Sequence, residues 1–80
     1  MELDDLRQQI DELDIQLVEL LAQRQKVTTE VGVYKKQVGK AIYDPKREAD
    51  LIQKRRQLAV ELDVQPDLIE DLLRRIMRES

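Results

Sequence analysis

Residues 3–37 read LDDLRQQIDELDIQLVELLAQRQKVTTEVGVYKKQ, and this stretch decides the fold. Its apolar side chains recur at alternating spacings of three and four residues, with one interruption at position 24. The series is Leu3, Leu6, Ile10, Leu13, Leu17, Leu20, Val27, Val31, Tyr34 and Val38. A series sustained this far predicts one long helix that packs against other helices along its whole length.

The length of this helix predicts a second copy of the chain. At 1.5 Å per residue, a helix from about residue 3 to residue 37 is roughly 50 Å long. The remaining residues are too few to cover so long an apolar stripe, whereas a second chain can cover it by packing antiparallel or by intertwining. We therefore expect a homodimer.

Composition supports this expectation. A chain of 80 residues buries only about 60% of its unfolded surface, so small domains of this kind depend on disulfides, metals or oligomerisation. Cysteine and histidine are both absent, which excludes disulfides and removes the commonest metal ligands. Oligomerisation is the support that remains.

Charge and hydropathy indicate which partners the protein can bind and where in the cell it is located. Charged residues make up 39% of the chain and its formal net charge is −3, which argues against binding to nucleic acid. No apolar run approaches the roughly 20 residues of a membrane span, and the N-terminus lacks the order of a signal peptide. The sequence therefore predicts a cytoplasmic protein without a membrane or nucleic-acid partner.

Two shorter helices follow the long one. Asp44 is a candidate N-cap with Pro45 at the first helical position, and this second helix is expected to end near Leu62. Pro66 opens a third helix, with Asp67 in its first turn. The predicted fold is all-α, with one long and two shorter helices per chain, residues 1–80 forming a single domain and two chains forming an intertwined helical homodimer.

Arg24 interrupts the apolar stripe and is the first candidate site residue. Burial of an unpaired guanidinium is costly, so an anion should meet it. Lys35 lies eleven residues further on, about 20° away in azimuth on the helix, and the two cations together suggest an anion-binding pocket. The alternative is that Arg24 pairs across the dimer with an acid such as Glu48 or Asp14 and sets the register; the pattern alone slightly favours this alternative.

The ends of the shorter helices add further candidates. Asp44, Arg47 and Glu48 occupy the start of the second helix, where helix capping and dipole compensation are the alternative explanation, and the better one for Asp44 taken alone. Ser80 continues the apolar face of the third helix, although a terminal residue is more often frayed. The sequence contains no nucleophile–base pair, no glycine-rich phosphate loop and no cluster of metal ligands, so an enzyme of this kind would work by positioning and electrostatics.

Four segments carry a resemblance to a known family: LRQQIDELDIQLVELLAQRQKV (6–27), EVGVYKK (30–36), IYDPKREADLI (42–52) and PDLIEDLLRRIMRES (66–80). They resemble the all-helical class of chorismate mutases, and most of all the mutase domain at the N-terminus of bifunctional chorismate mutase–prephenate dehydrogenases. The resemblance implies a cofactor-free rearrangement of chorismate to prephenate in the biosynthesis of phenylalanine and tyrosine. It also implies a dimer whose long first helices span both subunits and form two equivalent active sites.

The resemblance also assigns roles to individual cations. Arg7 matches the arginine that reaches into the partner's site, and Arg24 matches the arginine that holds a substrate carboxylate within its own site. Lys35 matches the lysine that contacts the ether oxygen and a carboxylate. Arg47 matches a motif arginine of the substrate-binding region. Spacing agrees with the role of Arg7, since it lies about 25 Å before Arg24 along one helix and can reach that kind of site only from an antiparallel partner.

The remaining roles fall on the second and third helices. Asp44 and Glu48 match residues that address the ring hydroxyl of the substrate, the aspartate through its backbone, and Ser80 matches a serine that meets a carboxylate. The matching apolar walls of the pocket are Val31, Leu51 and Met77. The residues expected to act in catalysis are Lys35, Arg24 and Glu48.

One departure from the family pattern concerns the end of the sequence. The family places a glutamine one helical turn beyond the serine, where it donates to the ether oxygen, whereas this sequence stops at Ser80. We therefore expect a freestanding or excised mutase with weakened activity. Two alternatives are a non-catalytic dimeric module of the same fold, with a regulatory or assembly role, and a coiled-coil adaptor in which Arg24 sets register.

Overall fold

The computed structural model describes residues 2–41 and 43–79 of the chain. It contains three helices: α1 (Leu3–Val38), α2 (Pro45–Glu61) and α3 (Pro66–Arg78). No strand occurs in these two ranges. The predicted all-α architecture of one long and two shorter helices is confirmed, and each predicted helix end lies within one residue of the observed one. By their contacts the residues form two units, Met1–Tyr34 and Lys35–Ser80.

The apolar stripe of α1 is open to solvent in the single chain. The ten side chains of the stripe expose between 42% of their surface, at Leu6, and 61%, at Leu13, and α1 contains no buried residue. Burial of what each one leaves exposed is worth about 1 kcal/mol, or about 10 kcal/mol for the stripe. That sum is of the same order as the whole stability of a small domain.

A left-handed glycine ends α1. Gly39 has φ 73°, a conformation that costs glycine little because it has no Cβ. The N–H of Lys40 donates to the carbonyl oxygen of Lys35 at 2.8 Å, and the N–H of Gly39 donates to that of Lys36 at 3.4 Å. These two bonds form a Schellman motif, which fixes the backbone of Lys40 one turn from that of Lys35.

Helices α2 and α3 pack against each other as a hairpin. Ile52 and Ala59 lie on one face of α2 and are each only 4% exposed; within residues 2–41 and 43–79 they are the buried apolar residues. The N–H of Val64 donates to the carbonyl oxygen of Ala59 at 2.8 Å, and Asp63 takes φ 60° between them. Helix α2 therefore also ends in a Schellman motif, here with aspartate in the left-handed position.

Ion pairs join α2 to α3. One guanidinium nitrogen of Arg56 lies 2.9 Å from an oxygen of Asp67 and 3.0 Å from an oxygen of Glu70, and Arg74 holds the other oxygen of Glu70 at 2.9 Å. The hydrogen bond from Arg74, together with the charges of both arginines, lowers the pKa of Glu70. The hydrogen bond to Asp67 raises the pKa of Arg56. The network fixes the start of α3 against α2.

Asp44 caps the start of α2, as predicted. Its carboxylate accepts a hydrogen bond from the backbone N–H of Arg47 at 3.1 Å, and its carbonyl oxygen accepts one from the N–H of Glu48 at 3.1 Å. Pro45 follows at the first helical position, where the missing N–H of proline costs nothing. The cap sets the position of the first turn of α2.

The cap gives a prediction for stability. Asp44→Ala removes the acceptor for the N–H of Arg47 and should lower the free energy of unfolding by about 1 kcal/mol, whereas Asp44→Asn keeps an acceptor and should cost much less. Urea unfolding followed by circular dichroism measures both. Equal losses in the two variants would show that the cap does not stabilise α2.

The lowered pKa of Glu70 gives a prediction for pH dependence. Because the pKa is lower in the folded protein, the contribution of Glu70 to stability is complete above its unfolded pKa, about 4.5, and is lost as the pH falls through the folded value. Glu70→Gln should therefore lower the Tm most at neutral pH and progressively less below about pH 4.5. Glu79→Gln, which removes a more exposed pair with Arg75, is the matched control and should change the Tm little. A Tm difference for Glu70→Gln that is constant with pH would contradict this.

Candidate active site

The turn between α1 and α2 forms an open depression of about 370 Å³. Its lining residues are Lys35, Lys40, Ala41, Tyr43, Asp44 and Pro45. Two of the predicted site residues, Lys35 and Asp44, therefore lie around the same depression. Both are held by backbone structure, because the carbonyl of Lys35 belongs to the Schellman motif of α1 and Asp44 is the N-cap of α2.

The depression contains charges of both signs. Lys35 is half-buried, while Lys40 and Asp44 are exposed. The carboxylate of Asp44 points one oxygen at the N–H of Arg47, where the positive end of the helix dipole offsets its charge. With two lysines and one capped carboxylate, the depression favours an anion.

Two further predicted residues follow on α2. Glu48 and Leu51 are both half-buried, and their spacing of three residues places them side by side on the helix surface. Glu48 is tied to Asp44 through the backbone hydrogen bond at the cap. Arg47 contributes its N–H to the cap and is otherwise exposed. The predicted candidates of α2 thus occupy its first two turns.

The two predicted arginines of α1 lie far apart on that helix. Arg7 is exposed and Arg24 is half-buried, and seventeen residues of helix separate them by about 25 Å. No described carboxylate of α1, Asp14 included, forms an ion pair with Arg24. Val31, a predicted wall residue, exposes 44% of its surface. The described carboxylates of α1 therefore do not supply the anion expected for Arg24.

Two predicted residues remain, both at the end of the chain. Met77 is half-buried on α3, where it lies one position beyond the half-buried Ile76. Ser80 lies outside the described residues.

Lys40 and Tyr43 also line the depression. Tyr43 lies in the segment IYDPKREADLI, where the resemblance gave it no role, and Lys40 lies outside all four segments that carry the resemblance. The signal that could have found Lys40 is Gly39, because a glycine just after a long helix predicts a Schellman motif and so the position of the residue that follows it.

The chemistry available here is that of fixed charges. Across the part of the chain that the structure describes, no group of aspartates and glutamates is arranged to hold a metal ion. Nor does any helix there combine the length and the apolar character needed to cross a membrane. Lysine and arginine side chains can grip carboxylates and stabilise negative charge that develops during a reaction.

Comparison with known proteins places the chain in a family. The family model for chorismate mutase type II matches residues 6–80. A T-protein of Enterobacter agglomerans is 53% identical over 79 residues, which cover 99% of this chain and 21% of that protein. A T-protein of Haemophilus influenzae is 49% identical over 78 residues, covering 98% of this chain and 21% of that protein.

A third relative is a protein named chorismate mutase from Methanocaldococcus jannaschii. It is 33% identical over 64 residues, which cover 80% of this chain and 65% of that protein. No solved structure matches the chain significantly. The chain spans about a fifth of the length of the T-proteins that it matches. The match over residues 6–80 confirms the resemblance inferred from the sequence: the chain belongs to the chorismate mutase type II family.

Proposed function

We propose that residues 1–80 act as one chorismate mutase domain, which rearranges chorismate to prephenate without a cofactor in a site built by two chains. The observation that carries this proposal is the family match over residues 6–80, because that range contains every candidate site residue from Arg7 to Ser80. The open anion-favouring depression at the end of α1 supports it independently.

The reaction suits the side chains that are present. In a [3,3] rearrangement one C–O bond breaks and one C–C bond forms, and no proton moves, so a chain without histidine or cysteine lacks nothing that the step requires. The enzyme must hold the enolpyruvyl side chain over the ring in a compact shape. In this proposal Arg24 and Arg7 of the partner subunit grip the substrate carboxylates, assisted by Arg47 and Ser80.

Lys35 has the role that affects the barrier most. The breaking ether oxygen gains negative charge in the transition state, and a cation fixed beside it stabilises that state more than the ground state. Lys35 is half-buried and its backbone is held by the motif that ends α1, so little reorganisation is needed. Glu48 and the backbone of Asp44 address the ring hydroxyl.

The apolar walls complete the proposed pocket. Val31, Leu51 and Met77 exclude water from the compact substrate, which strengthens every charged contact inside. Leu51 and Met77 are half-buried, and Val31 is 44% exposed in the single chain. A second chain is proposed to cover the rest.

The dimer follows from α1. Its ten half-exposed apolar side chains would cost about 10 kcal/mol if left in water, and a lone helix receives most of its stability from packing. An antiparallel partner would cover the stripe and carry its own Arg7 about 25 Å along the helix, toward Arg24 of the first chain. This brings the cations needed for a dianion into one site.

The proposal includes a cytoplasmic homodimer whose ligand is a small molecule, without a nucleic acid or membrane partner. A net charge of −3 with 39% charged residues gives no basic surface of the kind that polyanions require. Cell fractionation tests the location. Sedimentation at micromolar concentration tests the dimer, and a stable helical monomer would overturn it.

Turnover provides the direct test of function. The purified chain should convert chorismate to prephenate, and the loss of chorismate absorbance measures the rate. Lys35→Ala should lower kcat by on the order of a hundredfold or more, by analogy with the removal of an oxyanion donor, with little change in stability. Lys36→Ala, a charge loss in the same turn, is the matched control and should leave kcat nearly unchanged.

The outcomes of that test separate the hypotheses. A rise in KM with unchanged kcat for Lys35→Ala would make Lys35 a binding residue rather than a catalytic one. Absence of turnover by the wild-type chain, with a folded dimer, would favour the non-catalytic module.

Mixed variants test whether the site is shared between chains. Arg7→Ala and Arg24→Ala homodimers should each be inert, because both of their sites lack one arginine. After subunit exchange, each heterodimer should hold one intact and one doubly damaged site, so a statistical mixture regains about a quarter of wild-type activity. Mixed isotope labelling and mass spectrometry verify the exchange. A mixture that exchanges fully and stays inert would contradict a shared site.

A further inference from the structure

We infer that Lys40 is an additional substrate-binding residue, which captures the dianion at the same depression as Lys35. The inference rests on the proposed function for the identity of the ligand. Lys40 lines the depression together with Lys35 and Asp44, although no family motif quoted for this chain includes it.

Backbone structure fixes Lys40 at this place. Its N–H donates to the carbonyl oxygen of Lys35 at 2.8 Å, so the two residues are the first and last partners of one Schellman motif. Gly39 at φ 73° makes the turn that brings Lys40 back toward the depression. The backbone of Lys40 is therefore held next to that of Lys35, and its side chain starts from the edge of the depression.

The charges around the depression leave a role for a second cation. Asp44 adds one negative charge, and one of its carboxylate oxygens already accepts the N-cap hydrogen bond from the N–H of Arg47. With Lys35 alone, the lining residues would sum to zero charge; with Lys40 they sum to +1. A net positive charge around the depression raises the local concentration of an anionic substrate and speeds its association with the site.

Exposure distinguishes the role of Lys40 from that of Lys35. Lys35 is half-buried, whereas Lys40 is exposed, and an exposed charge interacts through water and is screened by salt. Lys40 therefore contributes to capture and ground-state binding, with little effect on the chemical step. Its signature is a salt-dependent change in kcat/KM at constant kcat.

Charge reversal with a matched control tests the inference. Lys40→Glu should lower kcat/KM for chorismate by roughly tenfold at low salt and by much less at high salt, with kcat within about twofold of wild type. Lys36→Glu makes the same change in net charge in the adjacent turn, at an exposed lysine outside the depression, and should lower kcat/KM by less than about threefold. Lys40→Arg should restore the wild-type value.

Calorimetric titration with chorismate supplies a readout that does not need turnover. If the wild-type chain binds chorismate without converting it, the proposed function is wrong, but the role of Lys40 can still be tested. In that case Lys40→Glu should raise the Kd for chorismate more than Lys36→Glu does. Equal effects of Lys40→Glu and Lys36→Glu on kcat/KM and Kd would overturn the inference, as would a fall confined to kcat. Absence of both binding and turnover in the wild-type chain would overturn both proposals.

Discussion

The apolar stripe of α1 is the constraint on which the rest of this structure depends. A helix of 36 residues with ten half-exposed apolar side chains cannot be stabilised by propensity alone, since most helical stability comes from packing. The hairpin of α2 and α3 covers its own small core of Ile52 and Ala59. The chain thus has a hairpin with a small core of its own and a long helix whose apolar stripe is half-exposed, and the proposed dimer would cover that stripe.

Turn chemistry, rather than a large core, positions the candidate site. The Schellman motif at Gly39 fixes Lys35 and Lys40, and the N-cap at Asp44 fixes the turn that carries Glu48. Each device satisfies backbone groups that a helix end would otherwise leave unpaired. The same hydrogen bonds that end one helix and begin the next therefore place the proposed catalytic charges.

The helices could be predicted from the sequence because each rests on a local rule. The spacing of Leu3 to Val38 gives α1, Asp44 and Pro45 give the start of α2, and Pro66 gives the start of α3. Helix α2 ends at a left-handed Asp63, which no sequence rule marks as clearly as a glycine. Its observed helix end is one residue from the expected one.

The candidate site was less accessible to sequence reasoning because it depends on arrangement. Spacing identifies Arg24 as an anomaly on the stripe but does not say which anion meets it, since pairing across a dimer and binding of a ligand give the same pattern. The depression beside Lys35 arises from the path of the chain after Gly39, and this path brings in Lys40 and Tyr43. Family membership supports the ligand, and the role proposed for Arg24 rests on that support.

Placing cations in a shared site links binding to assembly. In the proposed dimer, Arg24 and the partner's Arg7 approach each other, and like charges brought together oppose association. A bound dianion removes that repulsion, and any ligand that binds only the dimer stabilises it by mass action. In that proposed arrangement the site and the interface would share one electrostatic term: the cations that bind the dianion would oppose association of the empty dimer, and burial of the α1 stripe would have to exceed that cost.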